Sequence, residues 1–283
     1  MLKTAFIGYG EAGAAFAGAP AWTGLARTFD IKFDDPAQAA DVHARCRADG
    51  VGIAANLSEL LTDADAVISV VTADQAVGAA QAASRMIGAD RYYLDFNSVA
   101  PATKRQASAA IEATGSHYID VAVMAPVRGS RLSTPLLVSG PEAERGREIL
   151  VQLGFQQVRT VGVQIGDASA IKMLRSIVIK GIEALTVQCL LAADRADVVE
   201  EVLTALGSEW VARIGYNLER VVVHGERRAA ELDEVALMLD SLDMPTEMVR
   251  AAAAVHRSLR VAGTLSDELQ ERFLASDIRR TIS

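Results

Sequence analysis

The chain has 283 residues, the size of one large or two ordinary domains. With 51% hydrophobic and 23% charged residues, its composition is that of a globular protein and excludes wholesale disorder. Its 28 Lys and Arg against 36 Asp and Glu give a net charge of −8, and aromatic residues are only 5%, so no nucleic-acid partner is expected.

The two cysteines, Cys46 and Cys189, are far apart and fit no metal-ligand spacing. Neither a metal site nor a disulfide framework is expected, and a cytoplasmic location fits. The segment Met1–Ala21 superficially imitates a signal peptide, but Glu11 interrupts its apolar stretch and Gly8, Gly10 and Gly13 weaken its helix. No uninterrupted apolar run reaches the roughly 18 residues of a membrane span, so no membrane association is expected.

In chain order, strands are predicted at Leu2–Gly8, Asp30–Asp34, Val51–Ala54, Ala66–Val71, Tyr92–Phe96, His117–Val121 and Leu136–Ser139. Helices are predicted between them at Glu11–Gly18, Ala37–Asp49, Leu57–Thr62, Gln75–Met86 and Ala102–Thr114. Several strands are continuously apolar, as in Ala66-Val67-Ile68-Ser69-Val70-Val71, which suits a parallel sheet covered on both faces. After Gly162 strand signals fade. Helices are predicted at Asp167–Ala192, Asp197–Ala205, Trp210–Val223, Glu226–Leu242, Thr246–Val261 and Ser266–Ser276. The expected fold is an α/β Rossmann-like domain over residues 1–162, followed by an all-α domain over 163–283.

Gly8-Tyr9-Gly10-Glu11-Ala12-Gly13 is a G-x-G-x-x-G run directly after the first strand and at the start of the first helix. Gly8 permits the tight turn, Gly10 lets a pyrophosphate reach the backbone, and Gly13 permits close helix–strand packing. The amides and positive helix end would face the phosphates. Asp34, in Phe33-Asp34-Asp35, is the candidate for the adenosine ribose hydroxyls, favouring NAD with NADP as the alternative. Its interval from Gly8 exceeds the usual spacing of about 20 residues. Further along, Lys172, Arg175, Ser176 and Ile179 share one helix face at i, i+3, i+4 and i+7. A lysine within Ala170-Ile171-Lys172-Met173-Leu174 is costly to bury unless it is paired or functional. Arg128 and Arg175 suit a substrate carboxylate or phosphate, or equally a structural ion pair. Ser98 and Ser176 suit hydrogen bonds to substrate, or capping of their own turns.

These segments together resemble the β-hydroxyacid dehydrogenases, the group containing 3-hydroxyisobutyrate and 6-phosphogluconate dehydrogenases. Beyond the glycine loop, Val70-Val71-Thr72-Ala73-Asp74 resembles the turn beside the nicotinamide. Asp95-Phe96-Asn97-Ser98-Val99-Ala100-Pro101 resembles the Asp-x-Ser-Thr-x-x-Pro segment near cofactor and substrate. Asp120 with Ala125-Pro126-Val127-Arg128-Gly129-Ser130 resembles the substrate loop, usually Asp-Ala-Pro-Val-Ser-Gly-Gly. Gly166 to Lys172 resembles the stretch bearing the catalytic lysine. The resemblance thus implies Lys172 as general acid/base. It implies substrate contacts at Ser98, Arg128, Gly129, Ser130, Arg175 and Ser176. Cofactor contacts are implied at residues 8–13 and at Val71, Thr72 and Asn97.

The departures mark a subfamily with its own helical domain. Arg128 stands for a serine, Ser130 and Ala168 for glycines, and Ser176 for an asparagine. Ala230-Glu231 stands near the usual Lys-Asp pair, within His224-Gly225-Glu226-Arg227-Arg228-Ala229-Ala230-Glu231. No role is assigned to His224, Arg227, Arg228 or Glu231. The resemblance implies an NAD(P)-dependent dehydrogenase that transfers hydride between nicotinamide and a small anionic hydroxy acid or its oxo form. An imine reductase-like enzyme and a non-catalytic NAD-binding sensor are the alternatives. By the same analogy the chain is expected to form a homodimer, with Ile177–Leu191 as one candidate face.

Overall fold

The computed structural model describes residues 1–258 and 266–274. The chain divides into two compact units, Met1–Lys172 and Met173 onward.

The first unit contains β1 (Lys3–Ile7), α1 (Glu11–Ala17), β2 (Leu25–Phe29), α2 (Pro36–Ala48), β3 (Gly52–Ile53), α3 (Leu57–Leu61) and β4 (Ala66–Ser69). It continues with α4 (Ala76–Ser84), β5 (Tyr92–Asp95), α5 (Pro101–Glu112), β6 (His117–Val123), α6 (Val127–Ser130), β7 (Leu136–Ser139), α7 (Ala143–Gln152) and β8 (Val158–Gly162). One eight-stranded sheet runs in the order β3-β2-β1-β4-β5-β6-β7-β8. All neighbours are parallel except β6 and β7. This is the expected Rossmann-like α/β architecture.

Strand alternation explains the continuously apolar runs. Phe6, Ile68, Leu94 and Ile119 join one core cluster, while Ile7, Val67, Tyr93 and Tyr118 join another. Successive side chains point to opposite sheet faces, so a strand buried on both needs apolar residues at every position.

The second strand is a correction. It lies at Leu25–Phe29, and the predicted Asp30–Asp34 strand is a 3-10 turn over Ile31–Asp34. The Asp30 side chain accepts from the Lys32 backbone N–H and starts that turn. A short polar side chain bonded to the backbone two residues on competes directly with strand pairing. The α7 helix and β8 strand are additional to the predicted elements.

The long helix α8 (Asp167–Arg195) starts in the first unit and supplies most of its length to the second. The second unit adds α9 (Val199–Leu206), α10 (Ser208–Asp240), α11 (Glu247–Ser258) and α12 (Asp267–Phe273). Residues 259–261 and 275–276 of the predicted helices lie outside the described residues. The predicted break between Val223 and Glu226 does not occur, because α10 runs through it. Gly225 is there for packing: a Cβ at that position would come 2.2 Å from the His256 carbonyl of α11. By length and composition α8 could cross a membrane. Its Lys180 and Glu183, however, form ion pairs with Glu231 and Arg228 of α10.

Candidate active site

The glycine loop grows from the end of β1. Gly8 has φ +93°, and its N–H donates to the Phe29 carbonyl at 2.9 Å. A Cβ on Gly8 would meet the Val70 carbonyl at 2.6 Å, and one on Gly13 the Gly8 carbonyl at 2.9 Å. Both positions therefore require glycine for close backbone packing. A Cβ on Gly10 would meet nothing within 4 Å, so the backbone there faces open space. That open space lies at the start of α1, where a helix presents unbonded N–H groups and the positive end of its dipole.

Tyr9 turns its ring inward from this loop. Its ring is buried and its hydroxyl donates to Asp49 Oδ2 at 2.8 Å. Burial and the Asp49 carboxylate push its phenol pKa up. The Tyr9 N–H donates to Asp30 Oδ2 at 2.7 Å. Asp30, rather than Asp34, directly follows β2, and the exposed Asp34 lies at the end of the 3-10 turn. Asp30 was missed because the second strand was placed too late. Its 22-residue separation from Gly8 was the available signal, close to the usual interval of about 20.

The segments that follow β4 and β5 also meet. The Val71 N–H donates to Asn97 Oδ1 at 2.6 Å, and Asn97 Nδ2 donates to Ser69 Oγ at 3.0 Å. Thr72 is exposed just beyond, at the start of a 3-10 turn. Ser98, next to Asn97, accepts from Lys172 Nζ at 2.5 Å. This contact joins the loop after β5 to the second turn of α8. Ala12 and Gly13 lie in α1 with Glu11, whose carboxylate pairs with Arg128 Nε at 3.2 Å.

Arg128 and Gly129 are exposed and Ser130 is half-buried on α6, which packs against α1. The loop proposed for substrate thus also touches the glycine-loop helix. Arg175 and Ser176 follow Lys172 by one turn of α8. Arg228 and Glu231 are structural: Arg228 makes a two-point ion pair with Glu183, and Glu231 holds Lys180 at 2.7 Å.

Sequence reasoning missed Lys104. It is fully buried on α5, with Nζ 3.0 Å from Asp95 Oδ1 and 3.2 Å from Asp120 Oδ1. The signal was present: Lys104, Ala107, Ser108 and Ile111 form the buried i, i+3, i+4, i+7 face of α5.

A mostly parallel sheet with a glycine loop opening α1 defines a dinucleotide-binding α/β protein of the dehydrogenase type. Residues 3–162 match the model of the NAD-binding domain of 6-phosphogluconate dehydrogenase, and residues 193–259 match a domain of unknown function, DUF1932. The chain belongs to the 6-phosphogluconate dehydrogenase-type NAD-binding family, with a DUF1932 helical domain. A conserved hypothetical protein from Sinorhizobium meliloti 1021 is 34% identical, with TM-score 0.72 over 94% of this chain and 92% of that one. The conserved protein MTH1747, described as structurally similar to 3-hydroxyacid dehydrogenases, is 31% identical, with TM-score 0.68 over 91% of this chain and 99% of that one. Mycobacterium tuberculosis 3-hydroxyisobutyrate dehydrogenase shares the fold at 17% identity, with TM-score 0.71 over 91% of this chain and 93% of that one.

Proposed function

We propose that the protein is an NAD-dependent dehydrogenase acting on a small anionic hydroxy acid or its oxo form, with Lys172 as general acid/base. The observation that carries this reading is the Lys172–Ser98 hydrogen bond, which sets an amine beside the segment next to Asn97 and Val71. The nicotinamide, when bound, accepts or returns the hydride. In oxidation, neutral Lys172 takes the substrate hydroxyl proton as the carbinol C–H bond breaks and its electron pair leaves with the hydride. In reduction, protonated Lys172 returns the proton to the developing alkoxide. Ser98 orients the amine and hydrogen-bonds the reacting oxygen.

Backbone N–H groups at the start of α1, from Gly10 to Gly13, would hold the pyrophosphate, since those of Gly8 and Tyr9 are already bonded to Phe29 and Asp30 and only shape the loop; Val71, Thr72 and Asn97 would border the nicotinamide. Asp30 is the better candidate than Asp34 for the ribose hydroxyls, since it stands at the strand end and is tied to Tyr9. Its carboxylate repels a 2′-phosphate, which supports NAD over NADP. Arg128, Gly129 and Ser130 hold the substrate's acidic group; Arg175 and Ser176, one turn beyond Lys172 on α8, are separate candidates for contacting it. The exposed Arg128–Glu11 pair contributes about 1 kcal/mol at most, so Arg128 can exchange it for an anion.

A homodimer is part of the proposal. Ile171, Leu174, Val178 and Leu185 form an exposed apolar stripe along α8, and a second copy would cover it. Sedimentation equilibrium at the monomer mass would refute this. Cytoplasmic residence is proposed on the two free cysteines.

The test is a panel of hydroxy acids, sugar acids and oxo acids followed by NADH absorbance. Lys172→Ala should lower turnover by about two to four orders of magnitude while leaving NADH affinity near normal. Unchanged turnover would remove Lys172 from the chemistry. Tight NADH binding with no turnover across the panel would overturn the enzyme reading in favour of a sensor.

A further inference from the structure

A buried lysine links the two segments that carry Ser98 and Lys172. Lys104 Nζ bonds the Asp95 carbonyl at 2.7 Å, Asp95 Oδ1 at 3.0 Å and Asp120 Oδ1 at 3.2 Å. The three acceptors match the three protons of its ammonium group. Lys104, Asp95 and Asp120 are all fully buried. The assembly therefore holds firmly only while every member is paired.

From this centre two arms reach outward. In the first, Asp95 Oδ1 accepts from the Asn97 N–H at 2.8 Å, and Asp95 Oδ2 accepts from the Tyr118 hydroxyl. Asn97 is thereby fixed against Val71, and Ser98 is the next residue. In the second, Asp120 Oδ1 accepts from Ser169 Oγ at 2.7 Å, and Oδ2 from the Ser169 N–H at 3.0 Å. Asp120 Oδ2 also accepts from Ser139 Oγ at 3.1 Å, while Ser139 Oγ accepts from the Ala168 N–H at 2.9 Å. The first turn of α8 is thus anchored through two of its backbone N–H groups, and Lys172 lies three residues beyond Ser169.

We propose that Lys104 is a positioning residue: through Asp95 and Asp120 it holds the Ser98 segment and the start of α8 in the register that joins Ser98 to Lys172. Lys104 has no direct part in proton transfer. The charge network acts behind the site, tying the segment after β5 and the first turn of α8 to one buried centre. This deepens the assignment of Lys172 and rests on it only for the effect on turnover.

The test compares wild type with Ser169→Ala, Lys104→Met and Ser98→Ala. Acetic anhydride labelling of Lys172, quantified by mass spectrometry across pH, reads the amine's environment without substrate or cofactor. Ser98→Ala, which removes the acceptor directly, gives the fully released profile. Ser169→Ala and Lys104→Met should both move labelling toward that profile, by about threefold in rate, with NADH affinity held within about twofold. Turnover should fall about tenfold in Ser169→Ala without a matching rise in cofactor KM. Because Lys104→Met strands two buried carboxylates and can fail to fold, Ser169→Ala keeps the comparison decisive. Wild-type labelling in folded Ser169→Ala, even with reduced thermal stability, would overturn the proposal and leave the network merely structural. If labelling moves but Lys172→Ala retains turnover, the acid/base assignment falls and the positioning role stands.

Discussion

The backbone N–H of Tyr9 donates to the Asp30 carboxylate across 2.7 Å, joining the glycine loop to the end of β2. Asp30 accepts with its other oxygen from the Lys32 N–H at 2.9 Å. One buried side chain thus fixes both the glycine loop and the turn after β2, the two elements proposed for the phosphates and the ribose. Asp30→Ala should strand the Tyr9 N–H, destabilise the first unit by about 1–3 kcal/mol and weaken NADH binding. Asp30→Asn removes the charge and keeps one of the two acceptors, so it should cost less stability than Asp30→Ala and narrow the preference for NADH over NADPH. Fluorescence titration with both cofactors checks this; an unchanged Kd ratio in Asp30→Asn would remove Asp30 from cofactor selection.

Gly8 and Gly10 should respond to substitution in opposite ways. Gly8→Ala meets both a positive φ and the Val70 carbonyl, so it should lower stability by more than about 1 kcal/mol. Gly10→Val points into open space and should change stability by about 1 kcal/mol or less, yet reduce NADH affinity at least about tenfold. Urea unfolding alongside NADH titration separates the two. Strong NADH binding by Gly10→Val would argue that the space before α1 does not hold a pyrophosphate.

Glu183 and Arg228 form a buried two-point pair between α8 and α10. Burial raises the Glu183 pKa even against the neighbouring Arg228. Arg228→Met should destabilise the protein by about 3–5 kcal/mol, because it leaves a buried carboxylate unpaired. The double variant Glu183→Leu with Arg228→Met should recover most of that loss. Denaturant midpoints of the two variants provide the comparison, and equal losses would contradict the pairing argument.

His256 predicts an acid-side loss of stability. Its ring is buried, Nε2 lies 3.2 Å from the Lys180 carbonyl, and Nδ1 has no hydrogen-bond partner among the described residues. Burial pushes its pKa down to about 4 from 6.5, aided by Arg228 and Lys180, while the Lys180 carbonyl and Glu231 oppose the shift. Glu183 also faces the ring, at 3.9 Å. Between pH 6.5 and 4 the unfolded chain binds the histidine proton more readily than the folded one. The contribution of His256 to stability is therefore complete above pH 6.5 and falls with pH, by at most about 1.4 kcal/mol per unit, levelling below 4. Glu183, with a raised pKa, titrates with the opposite sign, so the informative measurement is the difference between wild type and His256→Gln. The variant should show the shallower loss from pH 7 to 5; parallel curves would contradict a neutral buried His256.

Much of the site was legible because local backbone geometry demands particular residues. Gly8 and Gly13 mark the glycine loop, and the buried strands announce themselves as unbroken apolar runs such as Ala66-Val67-Ile68. Asp30 is hidden in the sequence because Ile31-Lys32-Phe33 also looks like strand; the Asp30–Lys32 side-chain bond decides for a turn. The unbroken α10 was illegible at Gly225 because that glycine serves α11 packing rather than a helix end. Lys104 carried a helical burial pattern but no partner within its own stretch of chain.

The sequence by itself determined the alternation of strand and helix, the nucleotide loop, and the lysine placed at the start of a long helix. Each depends on interactions among residues a few positions apart, where spacing translates directly into geometry. Tertiary structure alone decided which acid stands beside Tyr9, that Ser98 meets Lys172, and that Lys104 holds Asp95 and Asp120 together. Those contacts join residues distant along the chain. Their distances depend on how β5, β6, α5 and α8 pack, and buried charges are stable only where that packing completes their hydrogen bonds.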